Sequence, residues 1–260
     1  MALAGGSVFK AYARKVPLLL ATKRWFFPPP TSKPPISGSE KIARYRQALQ
    51  PGTDLKVVFG GHWSDNPGWL LLTEHDQDIT RPLRFGDCTV DVVFSEHVIE
   101  HVAFVGAVHF LQESFRILKD GGICRIICPM LDRFITADLS DDNGRRYVQN
   151  SLMPYFAIEQ AVLANTLLLT GIPDDPLPFM FNFLYMGHGH QFIWTSGLMM
   201  KVLQAIGFHD VRRRDPGQGV RADYCIERRR RGLYLGHDWQ EDRRSPNVYD
   251  VESFVVEAVK

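Results

Sequence analysis

The sequence predicts an α/β protein built on a doubly wound, mostly parallel β-sheet. Between residues 41 and 132, short apolar runs rich in β-branched residues alternate with segments of helical periodicity. Each run is short and continuously apolar, which is typical of a parallel strand covered on both faces. A glycine pair, Gly60-Gly61, closes the first run and indicates a tight loop at the end of that strand. Strands that alternate with helices in this way predict helices on both faces of the sheet.

The predicted elements follow in order from a helix over residues 41–49, which Pro51-Gly52 ends. A long helix is expected from about Val98 to Leu118, with Gly121-Gly122 placed to cap it. A later helix is expected over 195–205, behind a Thr or Ser cap. The predicted strands are apolar runs at 55–59, 69–72, 90–94, 123–128, 209–213 and 253–259.

Two segments interrupt this alternation. Residues 1–39 contain six basic residues and no acidic residue, and they run into a Pro-rich stretch, so we expect a basic arm ahead of a domain that spans 40–260. The apolar run Val16–Thr22 is too short to cross a bilayer, and a transit peptide remains an open alternative for this arm. Residues 133–190 are rich in Phe, Met, Leu and Tyr, and we expect a helical insertion there that acts as a lid.

Composition narrows the class of protein. The chain has 260 residues, 45% of them hydrophobic, and a formal net charge of +1, which is typical of a soluble globular protein and unlike a general nucleic-acid coat protein. Its four cysteines are too few and too scattered for a disulfide scaffold, so we expect a cytoplasmic location. The sequence predicts no membrane span and leaves the oligomeric state open.

Three motifs resemble class I S-adenosylmethionine-dependent methyltransferases, in the branch whose fourth strand runs into an E-H-x-x-E-H segment. They are VVFGGHWSDNPGWLLLTEHD, DITRPLRFGDCTVDVVFSEHVIEH and FRILKDGGICRIICPMLD, and the ending YDVESFVVEAVK is similar to the last strand of that branch. The resemblance implies a Rossmann-like fold and S-adenosylmethionine as cofactor. It also implies that the ligand binds outside the carboxyl ends of the strands.

The resemblance assigns cofactor-binding roles to particular positions. Gly60, Gly61 and His62 match the glycine loop, where the family normally has a third glycine instead of the histidine. Glu74 matches the acid that binds the ribose hydroxyls, with Asp76 as the alternative. The pair Asp78-Ile79 matches the adenine site, although Asp78 equally suits a cap of the following turn. Ser95 and Glu96 follow strand four, where cofactor and substrate meet in the family.

Methyl transfer requires alignment of the acceptor with the methyl group and, for a protonated acceptor, a base. His97 is the first candidate for that base and His101 the second, with a buried structural role as the alternative for either. We expect Tyr155, Tyr185, His188 and His190 to contact the substrate. The predicted function is methyl transfer to an oxygen or nitrogen of a small molecule, with no metal ligand and no nucleic-acid partner.

Two other functions are compatible with the same residues. The string His97-x-x-Glu100-His101 also matches a helical zinc signature, with Glu100 as base, which would indicate a zinc-dependent hydrolase. His188 or His190 would then supply a further ligand if the insertion folds back over the site. Alternatively, His62 in the glycine loop would suit a methyltransferase-like binding or regulatory protein without catalytic activity.

Overall fold

The computed structural model describes residues 36–60, 66–132, 185, 189–229, 233–235, 238–240 and 253–260. The described helices are α1 (Gly38–Ala48), α2 (Phe104–Ile117) and α3 (Ser196–Ile206). The described strands are β1 (Lys56–Gly60), β2 (Leu70–Leu72), β3 (Val90–Glu96), β4 (Leu118–Pro129), β5 (His209–Arg214), β6 (Leu233–Leu235), β7 (Asp238–Gln240) and β8 (Ser253–Val259).

Six of these strands form one sheet in the order β2-β1-β3-β4-β8-β5. The pairs β1–β2, β1–β3 and β3–β4 are parallel. Strand β8 is antiparallel to both β4 and β5, so β5 runs in the same direction as the first four strands. The sheet is therefore mostly parallel, as predicted, and the fold is a Rossmann-like α/β fold.

The strand order reverses beside β1. From β1 the chain moves outward to β2 and then returns to β3 on the other side of β1. In open α/β sheets the connections leaving such a switch point diverge, and the crevice between them binds ligands. Gly60 at the end of β1 pairs with Glu96 at the end of β3, so these two residues mark the crevice.

The main core lies on one face of the sheet. Phe59 and Ile126 face helices α2 and α3 there, where they pack with Phe110 and Leu203. Ile42 of α1 belongs to the same core. The three described helices therefore share one core cluster.

The opposite face differs from the expectation of helices on both sides. Within the described residues, a short segment that contains two 3₁₀ turns, Ala222–Tyr224 and Ile226–Arg229, covers this face. Ile226 packs there on Val58 and Phe94, and Tyr224 packs on Val92. The chain reaches β2 only ten residues after Gly60, which leaves little length for a helix between the first two strands.

A buried ion network fixes that covering segment to the sheet. Arg125 of β4 is fully buried and forms ion pairs with Glu227, which lies in the segment, and with Glu257 of β8. Each carboxylate also accepts a backbone N–H of the segment, from Gly217 to Glu227 and from Val220 to Glu257, both at 2.8 Å. The network therefore supplies the polar partners that a buried guanidinium requires.

The segment between β3 and α2 departs from the predicted long helix. Helix α2 begins at Phe104 rather than near Val98, and Ile99–His101 forms a 3₁₀ turn instead. His97 has a φ of 50°, a left-handed conformation that interrupts helical hydrogen bonding. At the other end, Gly121 and Gly122 lie inside β4 and do not cap the helix.

The described chain contains no helix long and apolar enough to cross a membrane. Residues 1–35 of the predicted basic arm (1–39) lie outside the described residues, as do most of the predicted lid at 133–190 and the segment 241–252. The first helix begins at Gly38, inside the predicted arm.

Candidate functional site

The first predicted cofactor residue, Gly60, ends β1 with a φ of 80°. A Cβ atom at this position would lie 2.1 Å from Val98 Cγ2 and 3.0 Å from the Glu96 carbonyl oxygen. Only glycine combines this backbone conformation with so close an approach. The other two predicted loop residues, Gly61 and His62, lie outside the described residues.

In the turn after β2, the two acids predicted to bind the ribose, Glu74 and Asp76, have different environments. The Asp76 carboxylate accepts hydrogen bonds from Lys41 Nζ at 2.9 Å, from Thr73 N at 2.9 Å and from Thr73 Oγ1 at 3.0 Å. Burial alone would raise the pKa of Asp76. The hydrogen bonds from Lys41 and Thr73 lower it by more, so the pKa is below its usual range. The Glu74 side chain is 66% exposed. Glu74 is therefore available to a ligand, whereas Asp76 holds the turn together.

The predicted adenine pair has a local structural role in the described chain. Asp78 Oδ1 accepts hydrogen bonds from Thr80 N at 2.8 Å and Thr80 Oγ1 at 2.7 Å, which is the turn-capping alternative. These hydrogen bonds hold the pKa of Asp78 below its usual range. Its other oxygen lies 3.9 Å from Arg81 Nε, and Ile79 is packed in the main core with 7% of its surface exposed.

Ser95 and Glu96 form the carboxyl end of β3, and both are buried. Within the described part of the chain, Ser95 Oγ has no hydrogen-bond partner. A buried hydroxyl without a partner costs free energy unless a ligand or water satisfies it. The position at the switch point is where a bound ligand would do so.

His97 turns the chain away from β3. Its N–H donates to the Ile127 carbonyl oxygen at 3.0 Å, which fixes the backbone in the left-handed conformation. Its ring lies between two polar groups, with Nδ1 3.3 Å from Glu100 Oε1 and Nε2 3.0 Å from Ser253 Oγ. The side chain keeps 31% of its surface exposed, so the ring is both oriented and accessible.

Glu100 is the centre of a histidine cluster, which we define as Glu100 with His97, His101 and His190. Its carboxylate is fully buried, and neither oxygen receives a well-directed hydrogen bond within the described chain. Burial raises the pKa of Glu100, but the adjacent His97 and the charges of His101 and His190 outweigh that effect, and the pKa is below its usual range. The carboxylate therefore lies among imidazoles that favour its ionised form.

A turn that follows the predicted lid brings His190 to this cluster. The Glu100 carbonyl oxygen accepts Gln191 N at 2.7 Å and Phe192 N at 3.2 Å, and Gln191 Nε2 donates to the His101 carbonyl oxygen at 2.8 Å. The His101 and His190 rings lie 4.8 Å apart between centroids in an edge-to-face arrangement. His190 is only 8% exposed, so the turn delivers a buried imidazole.

The remaining predicted substrate residues are not tested by the described chain. Tyr185 is 44% exposed, and Tyr155 and His188 lie outside the described residues. The helical premise of the zinc-hydrolase alternative is wrong, because a left-handed residue and a 3₁₀ turn occupy 97–101 and the two histidines do not share a helix face.

Two functional positions were missed by sequence reasoning. Ser253, which contacts His97, begins β8 more than 150 residues away, and only the pairing of β4 with β8 brings it close. Glu100 was considered only as a hydrolase base, whereas the structure makes it the central anion of the cluster. The signal available was the carboxylate between His97 and His101 in one short motif.

One family model matches part of the chain. Residues 63–126 match the family model described as a methyltransferase domain, and no curated protein matches the chain. The strand order with its switch point and this matched segment agree with the fold of class I S-adenosylmethionine-dependent methyltransferases, to which the sequence motifs are similar.

Solved structures with a similar arrangement include three methyltransferases. A SAM-dependent methyltransferase of Thermotoga maritima is 12% identical with a TM-score of 0.38, and the match covers 98% of this chain and 99% of that one. A Haloferax volcanii methyltransferase in complex with the Trm112 activator is 14% identical with a TM-score of 0.40 and 96% coverage of both chains. Human N-acetylserotonin methyltransferase in complex with SAM is 15% identical with a TM-score of 0.38, and the match covers 86% of this chain and 45% of that one.

Proposed function

We propose that this methyltransferase transfers the methyl group to an oxygen or nitrogen of a small-molecule acceptor in the cytoplasm. The observation that supports this acceptor class is the position of His97 at the carboxyl end of β3, with its ring held between Glu100 and Ser253. An O–H or N–H acceptor loses a proton when it is methylated, and an oriented imidazole can accept that proton near neutral pH.

On this proposal the cofactor is bound along the switch point. Gly60, with Gly61 and His62 after it, lets the backbone approach the ligand, and the exposed Glu74 accepts the ribose hydroxyls. Ser95 and Glu96 line the crevice floor. Asp78 binds the adenine through the carboxylate oxygen that accepts no hydrogen bond from Thr80. Ile79 contacts the adenine through the small part of its side chain that is exposed.

Bound S-adenosylmethionine supplies an electrophilic methyl group on a sulfonium sulfur. The contact of His97 Nδ1 with Glu100 favours the tautomer in which Nδ1 carries the proton and Nε2 is basic. In that tautomer His97 Nε2 accepts a hydrogen bond from the Ser253 hydroxyl at 3.0 Å. As the new carbon–oxygen or carbon–nitrogen bond forms, the acceptor's proton passes to Ser253 Oγ while the Ser253 proton passes to His97 Nε2. Tyr155, Tyr185, His188 and His190 are the side chains that we assign to the acceptor.

A transfer assay tests the acceptor class directly. Purified full-length protein is incubated with S-adenosylmethionine labelled in its methyl group and, separately, with phenols, carboxylic acids, primary amines, bulk RNA and bulk protein. The proposal expects label in a small oxygen or nitrogen compound, identified by mass spectrometry. Label only in RNA or protein, or only on carbon or sulfur, would overturn the proposed acceptor class.

The ribose assignment gives a first prediction. Glu74→Ala should weaken S-adenosylhomocysteine binding at least tenfold, because the hydrogen bonds of two ribose hydroxyls to a charged acceptor are lost and even one such bond contributes about 1.5–3 kcal/mol net. Isothermal titration calorimetry measures the change. Asp120→Ala is the matched control, since this exposed acid lies near the opposite end of β4. Equal affinities of the two variants would move the ribose contact away from Glu74.

A further inference from the structure

Three side chains of the histidine cluster lie close enough together to hold a metal ion. Glu100, His101 and His190 each offer one ligand atom, and these three atoms all lie within 4.8 Å of one another. The three side chains come from two distant parts of the chain, the 3₁₀ turn after β3 and the turn before α3. We propose that they bind a divalent first-row transition metal ion.

The buried carboxylate is the second observation that points to a cation. The Glu100 side chain is completely inaccessible, and its contacts with His97 Nδ1 at 3.3 Å and His101 Nε2 at 4.0 Å are not well-directed hydrogen bonds within the described chain. An ionised carboxylate in that position is costly unless a positive group compensates it. A metal ion held by Glu100 and two neutral imidazoles provides that compensation without requiring protonated histidines.

The ligand chemistry selects the kind of ion. Two imidazoles with one carboxylate are typical of sites for zinc and iron, and they also suit manganese and cobalt, whereas magnesium and calcium prefer all-oxygen ligands. Three protein ligands leave at least one coordination position open, as in catalytic zinc sites. His101 retains 31% side-chain exposure, so solvent or a ligand can reach the site.

Closing the site requires a small movement. Zn–N bonds of about 2.0–2.1 Å place tetrahedral ligand atoms about 3.3 Å apart, so the widest pair in the cluster must approach by about 1.5 Å. Gly189 provides the freedom, because it precedes His190 with a φ of 72° and open space around its Cα. The backbone hydrogen bonds of Gln191 and Phe192 to Glu100 keep the turn in register during that adjustment.

The position of the ion has a consequence for the reaction. His97 contacts the same carboxylate, so an ion at the cluster would lie beside the proposed base and would coordinate an acceptor oxygen, lowering the pKa of its hydroxyl. That consequence rests on the proposed function, whereas binding of the ion does not.

The test uses the ion alone. Untagged full-length protein is stripped with a chelator, and Co²⁺, Zn²⁺ and Mg²⁺ are titrated by calorimetry, with the Co²⁺ absorption spectrum recorded in parallel. We expect one Co²⁺ or Zn²⁺ per chain, a Co²⁺ spectrum that reports nitrogen ligation, and Mg²⁺ binding at least tenfold weaker. His101→Ala and His190→Ala should each reduce Zn²⁺ affinity at least tenfold, whereas His209→Ala, an exposed histidine on β5, should not.

Thermal unfolding of the same variants distinguishes loss of the metal site from misfolding of the variant. Zn²⁺ should raise the Tm of the wild type and of His209→Ala but leave folded His190→Ala unchanged. Absence of Zn²⁺ and Co²⁺ binding, or undiminished binding in both cluster variants, would overturn the metal site. Metal binding without methyl transfer to any small molecule would instead overturn only the proposed function.

Discussion

At the scale of single residues, the backbone of His97 is the most informative feature of the site. A non-glycine residue at a φ of 50° is uncommon, although histidine, asparagine and aspartate tolerate this region better than other residues. Such conformations persist where the surrounding structure fixes them, and here the Ile127 carbonyl oxygen and the contacts of the ring do so. The strained residue and the proposed base are therefore the same residue.

This coincidence permits a substitution that separates chemistry from folding. His97→Asn keeps a side chain that tolerates the left-handed region but removes the imidazole. We expect kcat for methyl transfer to fall by about 10²–10⁴-fold, the usual contribution of a general base, while the Kd of S-adenosylmethionine changes little. Steady-state kinetics and calorimetry measure the two quantities. A matching loss of cofactor affinity would assign His97 a binding role in place of catalysis.

Sequence reasoning succeeded unevenly at this scale. The position of Gly60 at the strand end and of Glu74 beyond β2 follows from strand patterning, which is local. The hydrogen bond from Thr80 N to Asp78, and the one from Gln191 Nε2 to the His101 carbonyl oxygen that holds the turn with His190, are not encoded in a sequence pattern. The contact between His97 and Ser253 joins residues 156 positions apart and depends entirely on strand pairing.

At the scale of elements, α2 is attached to the loop before β3 by one acidic side chain. Glu113 is mostly buried, accepts Leu83 N at 2.7 Å and is bridged by Arg116 Nε and Nη2 at 2.8 and 2.7 Å. Arg116 continues to the Leu83 and Phe85 carbonyl oxygens. This cluster holds the loop that contains Asp78 against the helix that follows His97.

The cluster predicts a pH dependence of stability. The hydrogen bonds from Arg116 are the largest cause that lowers the pKa of Glu113, and burial opposes them. A carboxyl whose pKa is lower in the folded state stabilises the protein above its unfolded pKa of about 4.3, and that stabilisation is lost as the pH falls through the folded value. Between about pH 5 and pH 3, urea unfolding should therefore show a larger loss of stability for the wild type than for Glu113→Gln.

The comparison has an internal control. Every other carboxyl titrates in both proteins, and the exposed Asp120→Asn variant should reproduce the wild-type slope. Identical pH slopes for Glu113→Gln and the wild type would show that the cluster contributes no pH-dependent stability.

At the scale of the whole molecule, the ion network of Arg125 stabilises the face of the sheet that the segment with two 3₁₀ turns covers. On this face the described covering segment contains short 3₁₀ turns, which bury less apolar area than a packed helix would. Arg125, Glu227 and Glu257 connect β4, the covering segment and β8 at one fully buried point. A single substitution there should therefore affect the entire sheet.

Arg125→Met leaves the buried Glu227 without its arginine partner and leaves Glu257 with Arg214, whose Nε lies 3.3 Å from Oε1. We expect the free energy of unfolding to fall by about 3–5 kcal/mol, the typical cost of breaking a buried ion pair from one side. Removal of the exposed pair between Arg44 and Glu40 by Arg44→Ala should cost only about 0.3–0.5 kcal/mol. Urea denaturation compares both variants with the wild type, and equal costs would contradict a stabilising role for the network.

The strands and helices of the main sheet were more predictable from the sequence than the segment that covers its second face. Alternating apolar runs and helical segments gave all six strands of the main sheet and the helices α1 and α3, because periodicity reports which surfaces are buried. The beginning of α2 was misplaced, since His97 breaks the helix through its backbone conformation. The covering of the second face was also missed, because the fully buried Arg125 gives no hydrophobic signal in the sequence.

The contact between Gly60 and Val98 has a mechanical consequence. A Val98 methyl group occupies the space that any side chain at position 60 would need, so the end of β1 and the turn that carries the histidine cluster are in van der Waals contact. Closely packed groups in such contact shift together when either is displaced. A displacement of the end of β1 towards Val98 therefore requires a displacement of the turn that carries the histidine cluster.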